Sequence, residues 1–352
     1  MIDPHVHCRD WAQGHKETIA HALHVAEYAG ISAIFDMPNT DPPIISRDLV
    51  RKRLDDANRA GSSVRYGLYV GMTANPRQIK EAVAIYREFF PRVVGFKLYA
   101  GHSVGTLAVP DEPGQRTVYE TLSDIGYNGM LAVHCEKEQY MKPELWSPKN
   151  PSSHTLARPP EAEIRSIEDQ IAFAAQSKFS GVLHIAHISH PDSVEIVCRE
   201  RTKQSFRISC GVTPHHCLLS SEMMQQDNGI LMKVNPPLRS SDNAVSMLDA
   251  LRSGKIDCVE TDHAPHTIFE KVNPPYMSGF PGLSFVPHFL RYLALRGFTQ
   301  KEIDRCTHWR ACELFKVDIP NDKKYQDYDL ATEYQVDVYE RIRKKLQNEI
   351  TL

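Results

Sequence analysis

Short apolar runs alternate with longer amphipathic stretches along most of the chain. The runs Ile31–Phe35, Val64–Val70, Val93–Leu98, Met130–His134, Val182–Ile188, Ser205–Cys210 and Ile256–Thr261 have the length and residue types of buried strands. Between and after them, helical spacing of apolar positions runs over Arg47–Ala60, Pro76–Phe89, Thr117–Ile125, Glu161–Ser177, Pro191–Arg201, Asn243–Ser253 and Leu283–Arg296. Pro76 and Pro191 stand where a helix tolerates proline, in its first turn. An opening strand over Asp3-Pro4-His5-Val6-His7-Cys8-Arg9-Asp10 completes a set of eight. Strict alternation of strand and helix predicts a parallel sheet, and eight units predict a closed (β/α)8 barrel of the α/β class.

The barrel is expected over residues 1–315. A polar, charged extension over 316–352, with a helix at Val336–Leu346, is expected to pack on its outside or to be partly disordered. The long loops Ala100–Gln115, Glu136–Pro160, Gly211–Arg239 and Ala264–Gly282 all follow strands, on the face where barrels carry their chemistry. Composition narrows the class further. A net charge of −3 gives no reason to expect nucleic acid or a membrane surface as partner. There is no run of 18 apolar residues and no signal peptide, so a cytoplasmic protein is expected. The eight cysteines are scattered without a Cys-x-x-Cys pair, which favours reduced thiols over a disulfide frame.

On the opening strand, alternation puts Asp3, His5, His7 and Arg9 on one face. Two imidazoles two residues apart can share a metal ion. Arg9, ~6–7 Å further along, can hold an anion beside it. The other strand ends supply Lys97, His134, His187 and Asp262. Lys97 is the odd member, since an ammonium in an apolar strand is costly to bury. If its amine has reacted with carbon dioxide, the carbamate is an anion able to bridge two metals. Two divalent ions would then be offset by a hydroxide, Asp262 and the carbamate, leaving the site near neutral. His184 and His187, three apart, should face opposite sides of a strand, and His187, nearer its end, is the candidate ligand. His215 and His216 are expected to shape a loop.

These segments resemble a dihydroorotase of the amidohydrolase superfamily. The resemblance rests on DPHVHCRD, MPNTDPP (Met37–Pro43), GFKLYAG (Gly95–Gly101), VHCE, HIAHIS, GVTPHH, KVNPPLR (Lys233–Arg239), ETDHAPH (Glu260–His266) and GFPGL (Gly279–Leu283), in the family's order. It implies a metal-dependent hydrolase barrel with two zinc ions and a bridging hydroxide. His5, His7, carboxylated Lys97 and Asp262 would bind one ion, and Lys97, His134 and His187 the other. Arg9, Asn39 and His266 match positions that grip a substrate carboxylate. Asn235 and the backbone at Pro281 and Gly282 match those that contact the pyrimidine ring. Asp262 would be the catalytic proton carrier in the reversible hydrolysis of dihydroorotate to N-carbamoyl-aspartate, a step of pyrimidine synthesis.

The chain departs from the pattern at Trp11, where many relatives have a Pro-Gly turn. The small accessory β domain of longer relatives is expected to be reduced or absent. Rival readings are a hydantoinase or allantoinase, a non-catalytic homologue that supports a transcarbamoylase, and a His-x-His phosphoesterase. The first lacks a use for Arg9, the second has no need of Lys97 or Asp262, and the third has none for a lysine bridge. Homodimerisation and association with a transcarbamoylase stay open. Loop Ala100–Gln115, with Ser103 and Thr106 among glycines, is read either as a lid over substrate or as an ordinary surface loop.

Overall fold

The computed structural model describes residues 1–103, 105–326 and 328–348. Val104 of the expected lid, Asp327 and the last four residues of the C-terminal extension lie outside the described residues. Eight parallel strands form one sheet in sequential order: β1 (Ile2–Val6), β2 (Ala33–Asp36), β3 (Arg65–Gly71), β4 (Val93–Tyr99), β5 (Met130–His134), β6 (Val182–Ile185), β7 (Arg207–Val212) and β8 (Cys258–Val259). A parallel bridge between Val6 and His263 closes the barrel, with the His7 N–H donating to the His263 carbonyl at 2.7 Å. The fold is therefore the expected (β/α)8 barrel. Among the described residues every strand belongs to this sheet.

Several helices form where the sequence offers both a cap and an apolar stripe. The helices Pro76–Phe89 and Pro191–Arg201 have the expected bounds. Asn75 caps the first by accepting from the Arg77 N–H. The helix Ile19–Tyr28 was not anticipated. Thr18 caps it, and its buried face is Ile19, Ala22, Leu23, Val25 and Ala26, but His21 and His24 break the apolar pattern in sequence. β6 and β8 are shorter than their apolar runs, and left-handed backbone follows each, at His187 and Asp262.

Two C-terminal segments complete the core. Past Arg296 a helical stretch, Gln300–Asp304, Arg305–Trp309 and Arg310–Phe315, reaches the barrel's N-terminal mouth. There Phe315 packs edge-on against Phe35 at 4.9 Å and Tyr69 at 6.1 Å between ring centroids. Ala311 and Leu314 join the same apolar cluster as Met130, Ala132 and Val182. The extension then runs back over the barrel, where Tyr339 stacks on Phe285 at 3.9 Å and Tyr334 donates to Glu17 at 2.8 Å. Its helix spans Glu340–Asn348, a few residues later than the apolar pattern suggested. All eight cysteines are free thiols. Among the described residues no helix is long and apolar enough to cross a membrane.

Candidate metal centre

The strand ends gather four imidazoles, a lysine and an aspartate in a buried row. His5 lies on β1 and His7 just past it; Lys97 is in β4 and His134 ends β5. His187 and Asp262 stand beyond β6 and β8, at the start of their loops. Ring centroids are 5.3 Å apart for His5 and His7, 5.0 Å for His5 and His187, and 4.8 Å for His134 and His187. The Asp262 Oδ1 atom is 3.4 Å from His5 Nε2 and 3.1 Å from His7 Nε2. One donor atom from each of these three residues lies within 4.8 Å of the others, close enough to surround one cation. On the other side, His134 Nδ1 and His187 Nε2 approach to 3.2 Å.

Backbone strain shapes this row. Arg9, His187 and Asp262 adopt positive φ of 48°, 38° and 48°. Each such non-glycine residue costs about 1–3 kcal/mol, and such residues cluster where function needs a particular aim. Strand alternation therefore fails at these points. β1 ends at Val6, and Arg9, Asp10 and Trp11 form a left-handed run after it. Likewise β6 ends at Ile185, so His184 and His187 do not take opposite faces. His184 meets Ser209 Oγ at 2.9 Å and Glu260 Oε2 at 3.3 Å, while the His187 N–H donates to the same Glu260.

Burial favours the neutral form of His5, His134 and His187, the form whose lone pair can bind a cation. It pushes His5 and His187 well below the ordinary histidine range, with Lys97 adding to the effect. His134 is also lowered by burial, against the opposing pull of Glu136. Carboxylate and amide partners aim the rings: Glu136 meets His134 Nε2 at 2.9 Å, and Asn39 Oδ1 meets His7 Nδ1 at 2.6 Å. Lys97 is fully buried, and burial lowers its amine from 10.5 to about 8. Its Nζ has no hydrogen-bond partner among the described residues. Among the described residues His5, His7 and Asp262 are thus a donor set for one cation, and Lys97 is a buried amine close by without a hydrogen-bond partner.

One pocket opens above this row. Of the residues singled out in sequence, His5, His7, Arg9, Asn39, His134, His187, Asn235 and Asp262 line it, and Lys97 lies beneath. His266 stands behind Arg9, its Nε2 3.1 Å from an Arg9 terminal nitrogen. Pro281 lies instead in a neighbouring depression with Lys16 and His266, and the Gly282 N–H donates to His263. Ser278 and Gly279 of the same loop take their place in the pocket wall. Gly279 has φ 118°, and a Cβ there would stand 2.7 Å from the Ala264 carbonyl oxygen. His215 and His216 are buried off the pocket; His216 is tied to Thr213 Oγ1 and the Pro236 carbonyl.

Sequence reasoning passed over Tyr99, whose hydroxyl is buried in the pocket wall with no partner among the described residues. Its position two residues after Lys97, on the same strand face, could have flagged it. Glu136, Glu260 and His154 were also missed as supports; His154 Nε2 reaches Asn235 Oδ1 at 2.9 Å.

Fold and site together define the class: an amidohydrolase-type barrel with its polar groups at the strand ends. Solved structures of that architecture superpose well. The L-hydantoinase (dihydropyrimidinase) of Arthrobacter aurescens gives a TM-score of 0.77 at 22% identity, covering 90% of this chain and 70% of that one. The dihydropyrimidinase of Brevibacillus agri gives 0.75 at 20%, covering 89% and 70%. Sequence relatives are more specific. The chain is 31% identical to a dihydroorotase of Thermococcus kodakarensis over 337 residues, 95% of this chain and 70% of that protein. It is 30% identical to one of Pyrobaculum aerophilum over 328 residues, 92% and 75%, and 32% identical to one of Methanothermobacter thermautotrophicus over 312 residues, 84% and 64%. No family model matches. The chain belongs to the dihydroorotase family, and so to the enzymes that hydrolyse cyclic amides. It spans roughly two thirds to three quarters of these relatives' length.

Proposed function

We propose that the chain catalyses the reversible hydrolysis of the ring amide of dihydroorotate to N-carbamoyl-aspartate. The observation that carries this reading is Arg9. It is a buried guanidinium with one terminal nitrogen unpartnered among the described residues, and it lines the same pocket as His5, His7 and Asp262. A substrate with a carboxylate next to its scissile amide uses that charge. Hydantoin and allantoin rings have no such group and leave it buried and unpaired.

Two zinc ions fit the donors described above. His5, His7 and Asp262 would hold one, His134 and His187 the other, and Lys97 would bridge them. Lys97 is suited to this because a neutral amine adds carbon dioxide, forming a carbamate and releasing a proton, and burial favours the neutral amine. When bound, the ions supply Lewis acidity toward a carbonyl oxygen and acidify a water.

The protein's own groups do the rest. Arg9 and Asn39 orient the substrate carboxylate, and Asn235 with the wall at Ser278 and Gly279 borders the ring. Asp262 accepts the proton of the attacking water and delivers it to the leaving ring nitrogen; in reverse it donates first. The loop after β4 places Ser103 in the pocket wall, which supports a lid that contributes a hydroxyl.

Turnover of dihydroorotate, hydantoin and allantoin, measured side by side on zinc-loaded protein, tests the proposal. Dihydroorotate is expected to be the best substrate by a wide margin, with Arg9→Ala raising its KM. Preferred turnover of either ring without a carboxylate would overturn it.

A further inference from the structure

One guanidinium touches both the loop after β4 and the carboxylate that aims a metal-site histidine. Arg158 follows the short helix His154–Ala157, on the loop after β5. Its Nε lies 3.0 Å and 3.1 Å from the two Glu136 carboxylate oxygens, and its Nη2 donates to Oε2 at 2.5 Å. The same Nη2 also donates to the His102 carbonyl, 2.9 Å away. Glu136 Oε2 in turn meets His134 Nε2 at 2.9 Å. A planar guanidinium fork fixes both the place and the plane of a carboxylate, which an ammonium does not.

Donors and acceptors balance in this arrangement. A carboxylate paired to a guanidinium offers only acceptors, so the His134 nitrogen that faces it, Nε2, carries a proton. In the cation-binding form of the ring the lone pair is then at Nδ1, which approaches His187 Nε2 at 3.2 Å. On the far side of the guanidinium, the loop after β4 leans on the loop after β5. A Cβ on Gly101 would overlap the Glu136 carbonyl oxygen, so only glycine allows this approach. The next residue, His102, gives its N–H to Glu138 at 2.7 Å and its carbonyl to Arg158. Ser103, one residue further, lines the pocket. Arg158 is itself held in place, its carbonyl accepting from Arg239 Nη1 at 2.7 Å.

We propose that Arg158 is a positioning residue that couples the loop carrying Ser103 to the His134 side of the metal centre. Through Glu136 it keeps His134 Nδ1 turned toward His187 for a cation, and through the His102 carbonyl it holds Ser103 at the pocket wall. A cation that fixes His134 therefore also steadies the loop, and an ordered loop favours the cation, because coupling between two sites is reciprocal. The inference rests on the two-cation reading for its metal arm alone.

The test uses the full-length chain, metal-free and loaded with zinc. It reads zinc affinity by chelator competition and amide hydrogen exchange at residues 101–103. In the wild type, filling the second zinc site is expected to slow exchange there. Arg158→Met is expected to weaken one of the two ions about tenfold or more and leave the other unchanged. It should also speed exchange at 101–103 in the metal-free protein and remove the response of these amides to zinc. Arg158→Lys, which keeps a donor beside Glu136, should recover most of the zinc affinity. Glu138→Ala removes the acceptor of the His102 N–H and touches neither Glu136 nor His134, yet reciprocity predicts that it weakens the same ion about fivefold. Unchanged exchange in metal-free Arg158→Met would overturn the proposal, as would unchanged zinc affinity in that variant against a wild type that binds two ions. A wild type that binds a single zinc, with exchange in metal-free Arg158→Met raised as expected, would defeat the two-cation reading alone. Where Arg158→Met does not fold, Glu138→Ala carries the test, and wild-type zinc affinity in it would overturn the coupling.

Discussion

Replacing Lys97 with methionine separates what the residue does for folding from what it does for chemistry. The amine is fully buried and its Nζ has no hydrogen-bond partner among the described residues. Burial lowers it from 10.5 to about 8. At about 1.4 kcal/mol per tenfold change in proton affinity, holding the charged amine in the folded protein at pH 7 costs about 3 kcal/mol. Methionine has similar length and no charge, and removes that cost without leaving a large cavity. Urea unfolding of metal-free protein in bicarbonate-free buffer should therefore find Lys97→Met more stable than wild type by about 2–3 kcal/mol at pH 7. The sign follows from a folded value below the unfolded one. The penalty is complete below pH 8 and fades as pH rises from 8 toward 10.5, where both states are neutral. With zinc and bicarbonate restored, the variant should lose the second ion and all turnover. A metal-free variant less stable than wild type, or one that keeps two zinc ions and activity, would refute the reasoning.

Other outcomes follow from the same geometry. Asp262→Ala should abolish both ring opening and ring closure while the circular dichroism melt stays cooperative. In the wild type the two directions should show opposite pH limbs, since opening needs Asp262 ionised and closure needs it protonated; superimposable profiles would remove it from the proton path. Tyr99→Phe deletes a buried hydroxyl that lacks a partner among the described residues. If that hydroxyl meets substrate, kcat/KM should fall about tenfold or more at unchanged zinc content, whereas unchanged kinetics would make Tyr99 a packing residue. His21 is raised from 6.5 to about 9, chiefly by its hydrogen bond to Glu17 and also by Glu333. Its contribution is present in full below pH 6.5 and lost as pH rises through 9. Its side chain is about one third exposed, so His21→Gln should cost only about 1 kcal/mol at pH 6 and nothing at pH 10, measured by urea unfolding.

The barrel was legible because parallel strands buried on both faces leave continuous apolar runs, and the runs at β3, β4 and β5 differ from the strands by a residue or two at most. The helix Ile19–Tyr28 was not, because its histidines take part in polar contacts that tertiary structure supplies: His21 lies between Glu17 and Glu333, which is far along the chain. The plug at Ala311–Phe315 was missed for a similar reason. Its apolar residues fill the barrel's mouth rather than an outer face, so it obeys no strand–helix alternation. At the site, the residue types and strand ends were readable, but their aim was not. Period-two alternation placed His184 and His187 on opposite faces, and left-handed backbone at His187 cancelled that inference. The supports Glu260 and His154 stand out only once segments distant in sequence are folded together.

The central claim is that Lys97 carries a carboxylate joining two cations between His5, His7 and Asp262 on one side and His134 and His187 on the other. A crystallographic map of protein loaded with zinc and bicarbonate, with anomalous data collected at the zinc edge, tests it most directly. Two anomalous peaks with density extending from Lys97 Nζ to both are predicted. A bare lysine, or a single peak beside His5 and His7, would contradict it.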